Sequence, residues 1–111
     1  MSKINFINTV KDCRVAVLGD FILDEYVWGD TSRISPEAPV PIVKMLGSEL
    51  RLGGAANVVN NVRTLGAIPI PISVVGNQQG WKLVHALDDL GIPTNQIVLS
   101  DTYKNSHKIR I

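Results

Sequence analysis

A double glycine at positions 53 and 54 divides this chain into two regions of different periodicity, and that division constrains the fold more than any other feature. Upstream, Tyr26, Val27 and Trp28 are followed by a polar stretch and then by Pro36, Pro39 and Pro41. Proline lacks the N–H a ladder needs and biases the residue before it to extended backbone. The region therefore predicts extended, edge-type strands rather than helix. Val40, Ile42, Val43, Met45 and Leu46 predict one strand, Gly47-Ser48 a hairpin turn, and Glu49 to Leu52 the return strand. Downstream, Val58, Val59, Val62 and Leu65 share one face of a helix over 55–65, and Gly66 ends it.

The flanking segments complete an alternating pattern. Ile4, Ile7 and Val10 stand at helical spacing. Arg14 to Asp20 reads as a short buried parallel strand ending in Gly-Asp. Ile68 to Val75 predicts another strand, in which Pro69 and Pro71 leave the same side without donors, so its start is expected to be unpaired there. Trp81 to Leu90 predicts a helix with a stripe of Leu83, Val84, Leu87 and Leu90, stopped by Gly91 and Pro93. Ile97 to Leu99 and Lys108 to Ile111 predict short strands, the last joining the flap. The whole is one α/β unit over 1–111 with an inserted flap over about 25–52 and 106–111. A chain that ends within a strand is expected to be the first part of a larger sheet, marginally stable alone.

Composition removes several classes of function. Hydrophobic residues make up 45% of the 111 and charged residues 19%, which suits one small globular domain. A net charge of +1 without a Lys/Arg run argues against nucleic acid or an anionic membrane as partner. The N-terminus lacks the apolar core of a secretory signal, and no run approaches the ~20 apolar residues of a membrane span. The expected setting is cytoplasmic. Cys13, the single cysteine, excludes an intrachain disulfide and a zinc cluster, and its place before an apolar run predicts a buried structural thiol.

The strongest chemical signal is Gly53-Gly54-Ala55-Ala56-Asn57 opening a helix. Glycines let backbone approach a ligand closely, and a helix N-terminus offers free N–H groups. The Asn57 amide both donates and accepts, as sugar hydroxyls require. The same run also reads as a tight strand-to-helix turn capped by Asn57. It is not a Gly-x4-Gly-Lys phosphate loop, nor a Gly-x-Gly-x-x-Gly dinucleotide turn. Gly19, Asp20 and Asp24 fall at the carboxyl end of the first strand, where open α/β sheets bind ligands; the alternative for each carboxylate is a cap or a solvated turn. His85 and His107 lack partners at metal-ligand spacing and read as structural or surface residues, and Trp28 and Trp81 as packing residues.

These motifs carry a resemblance. Gly53-Gly-Ala-Ala-Asn57 followed by Gly66 and Gly76 resembles the N-terminal signature of the ribokinase-like (PfkB) carbohydrate kinases. Val17-Leu-Gly-Asp-Phe-Ile-Leu-Asp24 is similar to that family's first strand with its substrate aspartate, and Thr31 to Pro41 resembles the heptose 7-phosphate kinase subgroup, which feeds ADP-heptose to lipopolysaccharide. The resemblance covers about residues 13–111 and implies the N-terminal part of a three-layer α/β sandwich with a small β lid. It implies phosphoryl transfer from ATP with Mg²⁺ to a phosphorylated sugar, and a homodimer through the lid. It places Asp24, Gly53, Gly54 and Asn57 at sugar hydroxyls, and Arg33, Lys108 or Arg110 at the sugar phosphate. Another sugar of the family, or a non-catalytic binding module, is the alternative. The chain departs from the family at Val59, at Gly76-Asn-Gln-Gln-Gly80 without the usual aspartate, and at Ser106-His107-Lys108. The family's Gly-Ala-Gly-Asp segment, which carries the base, is not among the 111 residues.

Overall fold

A computed structural model describes residues 3–111. In chain order the elements are α1 (Lys3–Val10), β1 (Arg14–Leu18), β2 (Phe21–Ile34), β3 (Pro41–Gly54), α2 (Ala55–Thr64), β4 (Ile68–Gly76), α3 (Gly80–Asp89), β5 (Ile97–Ser100) and β6 (Ser106–Arg110). They build two three-stranded sheets. One has the order β1-β4-β5 and is parallel throughout; the other has the order β3-β2-β6, antiparallel on one side of β2 and parallel on the other.

In the parallel sheet β4 is central. The Ile68 N–H donates to the Cys13 carbonyl on the β1 side, which turns the donor-less Pro69 and Pro71 toward β5. There β5 pairs only from Ser73 onward, so the start of β4 is unpaired on that side. Helices α2 and α3 cover one face of this sheet. Val59 from α2 and Leu83 and Leu87 from α3 are fully buried against Val75, with Val17 and Ile97 packed beside them. Full burial of each such side chain contributes about 1.5–3 kcal/mol. Phe21 and Leu23 extend the same core under the start of β2. The opposite sheet face leaves Leu18, Ile72, Val74 and Val98 exposed. The described residues thus supply the sheet and one helical layer.

The second sheet is a long hairpin flanked by β6, which joins it as the sequence predicts. Its turn is not at Gly47-Ser48. Strand β3 runs through those residues unbroken, and the chain reverses over 35–40, where the Ser35 N–H donates to the Val40 carbonyl at 2.7 Å. Pro36 and Pro39, useless in a ladder, collect in that turn. Gly47 lies opposite Trp28, and a Cβ there would stand 2.7 Å from the indole ring. Its role is to make room for the ring.

Three further expectations are corrected. On α2 the buried residues are Ala56 and Val59, whereas Val58 and Leu65 are exposed. Gly19 and Ala55 meet so closely that a Cβ on Gly19 would come within 2.9 Å of that of Ala55, and this contact turns the helix's small-residue face inward. Cys13 is exposed, its Sγ donating to the Thr9 carbonyl at 3.0 Å, because it sits in the α1–β1 loop before the sheet begins. Trp28 and Trp81 are half exposed, Trp28 covering Gly47 and Trp81 meeting His85 edge-on.

Candidate functional site

One strand-to-strand crossing and one strand-to-helix turn converge at the carboxyl end of β1. The chain passes from β1 to β2 through Gly19-Asp20 and from β3 to α2 through Gly53-Gly54. The Ala55 N–H donates to the Asp20 carbonyl at 2.9 Å and ties the two together. Gly54 caps α2 at φ 59° and ψ −135°, and a Cβ there would meet the Asp20 carbonyl at 2.7 Å. Only glycine fits this conformation without strain. The side chain of Asn57 is exposed and does not cap the helix, so its amide is free of the structural role that the sequence leaves open.

Asp24 points over this turn. A Cβ on Gly53 would overlap Asp24 Oδ2, so the carboxylate lies directly against the glycine backbone. Its other oxygen, Oδ1, is buried and has no hydrogen-bond partner. Such an atom costs about 1–3 kcal/mol, more when charged, until a donor reaches it. Asp24, Gly53 and Gly54 therefore lie together, and Asn57 follows in the first turn of α2. The Asp20 side chain is exposed.

The basic candidates separate. Lys108 is the register partner of Asp24 on β6, and Arg110 that of Tyr26. Alternation puts Lys108, Arg110, Asp24 and Tyr26 on one side of the sheet. Arg33 pairs with Ile42 near the hairpin tip, about 30 Å from Asp24 along β2, and is not brought to the cluster. Arg51, which the sequence reading does not single out, is. It is the β3 partner of Asp24, and its guanidinium lies 4.7 Å from the centroid of the Tyr26 ring. Glu49, bonded to Arg51 at 3.1 Å, raises the guanidinium pKa further above its usual range. The available signal was parity: Arg51 stands two residues before Gly53 in an extended segment, hence on the same face.

On the other side of the sheet, His107 Nε2 lies 3.0 Å from Glu25 Oε2. Beyond β5 the side chain of Asn105 grips the end of β4, accepting from the Gly76 N–H at 2.8 Å and donating to its carbonyl at 3.2 Å. A cavity of about 440 Å³ lies on the open face of the parallel sheet among Leu18, Ile72, Val74, Val98 and Tyr103, and reaches the cluster only through Gly19 and Asp20. Its walls are mainly apolar and offer little to a sugar, so the polar cluster is the better candidate despite its shallower shape.

Two solved structures share this architecture. A ribokinase from Cryptococcus neoformans var. grubii, solved with ADP, superposes with a TM-score of 0.62 over 88% of this chain and 30% of its own, at 19% identity. A proposed sugar kinase from Clostridium perfringens gives 0.69 over 89% and 30%, at 17% identity. The fold is the N-terminal part of a ribokinase-like domain. In sequence this ribokinase-like segment is similar to the bifunctional protein HldE of Pelobacter propionicus, at 46% identity over 94% of the chain. The HldE of Syntrophotalea carbinolica is 44% identical over 96% of it. The ribokinase-like segment spans 22% of the length of each of these relatives. No family model matches it. Among the described residues no helix is long and apolar enough to cross a membrane.

Proposed function

We propose that this segment holds the acceptor sugar of a cytoplasmic, ATP-dependent kinase acting on a phosphorylated heptose, in the route to ADP-heptose. The observation that carries the reading is the buried, unpartnered Oδ1 of Asp24 beside the Gly53-Gly54 turn. A pair of sugar hydroxyls supplies the donors that this oxygen lacks. The glycines allow the sugar to approach the backbone, and Asn57 donates to or accepts from a further hydroxyl. Lys108 and Arg110 lie on the side from which a sugar phosphate is met, and Arg33, at the hairpin tip, is the weakest of the three basic candidates. The β3-β2-β6 sheet acts as a lid over the sugar and as the contact between two copies of the chain. The similarity to HldE proteins supports the choice of a heptose.

ATP with Mg²⁺ supplies the phosphoryl group in such a reaction. Among the described residues no group of three or more His, Cys, Asp or Glu side chains fits a metal ion, so no step is assigned through the cation. The contribution of these residues is to bind and orient the sugar. Calorimetric titration of the 111-residue chain tests the reading. Saturable binding of D-glycero-D-manno-heptose 7-phosphate, tighter than that of ribose or fructose 6-phosphate, is the expected result. Preference for either of the other sugars, or no sugar binding, would overturn it.

A further inference from the structure

Two guanidinium groups approach one aromatic ring from opposite flanks. Arg51 Cζ on β3 stands 4.7 Å from the Tyr26 centroid, and Arg110 Cζ on β6 stands 5.8 Å from it. The register creates the arrangement: Tyr26 lies opposite Glu49 and Arg110, while Asp24 lies opposite Arg51 and Lys108. Side chains of ladder partners emerge on the same side. Three cations therefore share the face of Asp24 within two residues of it along β2. Glu49 engages only one nitrogen of Arg51, whose side chain is 57% exposed, and this leaves other donors of the fork free. Lys108 and Arg110 are exposed as well. Like charges gathered around one ring lower their energy by binding an anion. Arginine forks with a fixed spacing favour one with several oxygens, such as a phosphate monoester.

We infer that Tyr26, Arg51 and Arg110 form the seat of the substrate's phosphate, and that Arg51 is the residue that selects a phosphorylated sugar over the free one. The inference rests on the reading that Asp24 holds the sugar's hydroxyls. Tyr26, one side-chain repeat farther along the strand, then lies at the end of the sugar that carries the phosphate. Cation–π contact with the Tyr26 ring draws both guanidinium groups to one place and lowers the side-chain freedom to be lost when the phosphate arrives.

The test compares the 111-residue chain with its Arg51→Gln and Arg51→Lys variants, each titrated with heptose 7-phosphate, the same heptose without phosphate, and inorganic phosphate. Thermal melts check that the fold is intact. Arg51→Gln should weaken the phosphorylated sugar about tenfold or more, as expected for loss of a charge-assisted contact, while leaving the free heptose within about twofold. Arg51→Lys should restore only part of the loss, because a point charge lacks the fork. Equal losses for both sugars, or no loss for the phosphorylated one, would overturn the inference. If neither sugar binds but inorganic phosphate does, and Arg51→Gln abolishes it, the phosphate seat stands and the sugar reading falls. A wild-type chain that binds none of the phosphate-bearing ligands also overturns it.

Discussion

Replacing Asp24 by asparagine separates a binding carboxylate from a structural one, because the two roles move stability and affinity differently. In the unliganded chain Oδ1 of Asp24 is buried without a partner, while Oδ2 lies against Gly53. One oxygen of the carboxylate is thus held out of water with no compensating bond, and its replacement relieves part of that cost. Asp24→Asn keeps the shape but gives up the charge and one acceptor. Each hydrogen bond from a sugar hydroxyl to the carboxylate is worth about 1.5–3 kcal/mol. Loss of one such bond weakens sugar binding by roughly 10- to 100-fold at about 1.4 kcal/mol per decade. The melting temperature should hold or rise slightly. Calorimetry with heptose 7-phosphate and a thermal melt by circular dichroism measure the two quantities on the same preparation. Unchanged affinity with a melting temperature lowered by several degrees would make Asp24 a turn residue and remove the site.

Gly54→Ala forces a Cβ into a positive-φ turn 2.7 Å from the Asp20 carbonyl, so the urea midpoint should fall by the equivalent of about 1–3 kcal/mol; an unchanged midpoint would mean the turn is not strained. Asn105→Ala removes both bonds to Gly76 and should cost about 1–3 kcal/mol at about 0.5–1.5 each, measured in the same way, with no loss expected only if water replaces the amide. The exposed Leu18, Ile72, Val74 and Val98 should bind an apolar dye such as anilinonaphthalene sulfonate, and Leu18→Lys with Val74→Lys should reduce the signal; dye binding indifferent to both changes would point to another surface. The 111 residues hold no Gly-Ala-Gly-Asp segment, so the purified chain should show no heptose-dependent ATP consumption, and turnover by it would refute the division of labour.

Much of the fold is legible because its signals are local. The period change at Gly53-Gly54, the stripe of Leu83 and Leu87, and the one-sided prolines of β4 each need only a few neighbouring residues to interpret. Gly47 misleads because glycine has two uses, turning the chain and making room, and the Trp28 that needs the room is supplied by another strand. Val58 and Leu65 mislead because periodicity gives a helix's apolar residues but not which of them the neighbouring strand accepts. Asp24 and the glycines stand out, since a strand end and a glycine pair locate them. Arg51 against Tyr26, Asn105 against Gly76 and His107 against Glu25 depend on strand register, which no local pattern encodes.

The most direct measurement is a map of backbone amide shifts by heteronuclear NMR as heptose 7-phosphate is added to the 111-residue chain. The account predicts saturable shifts at Asp24, Gly53, Gly54, Ala55 and Asn57 on the turn and at Tyr26, Arg51 and Arg110 on the adjoining sheet, with the turn shifts lost in Asp24→Asn. Shifts confined to the apolar cavity around Ile72 and Val98, or none that saturate, would contradict it.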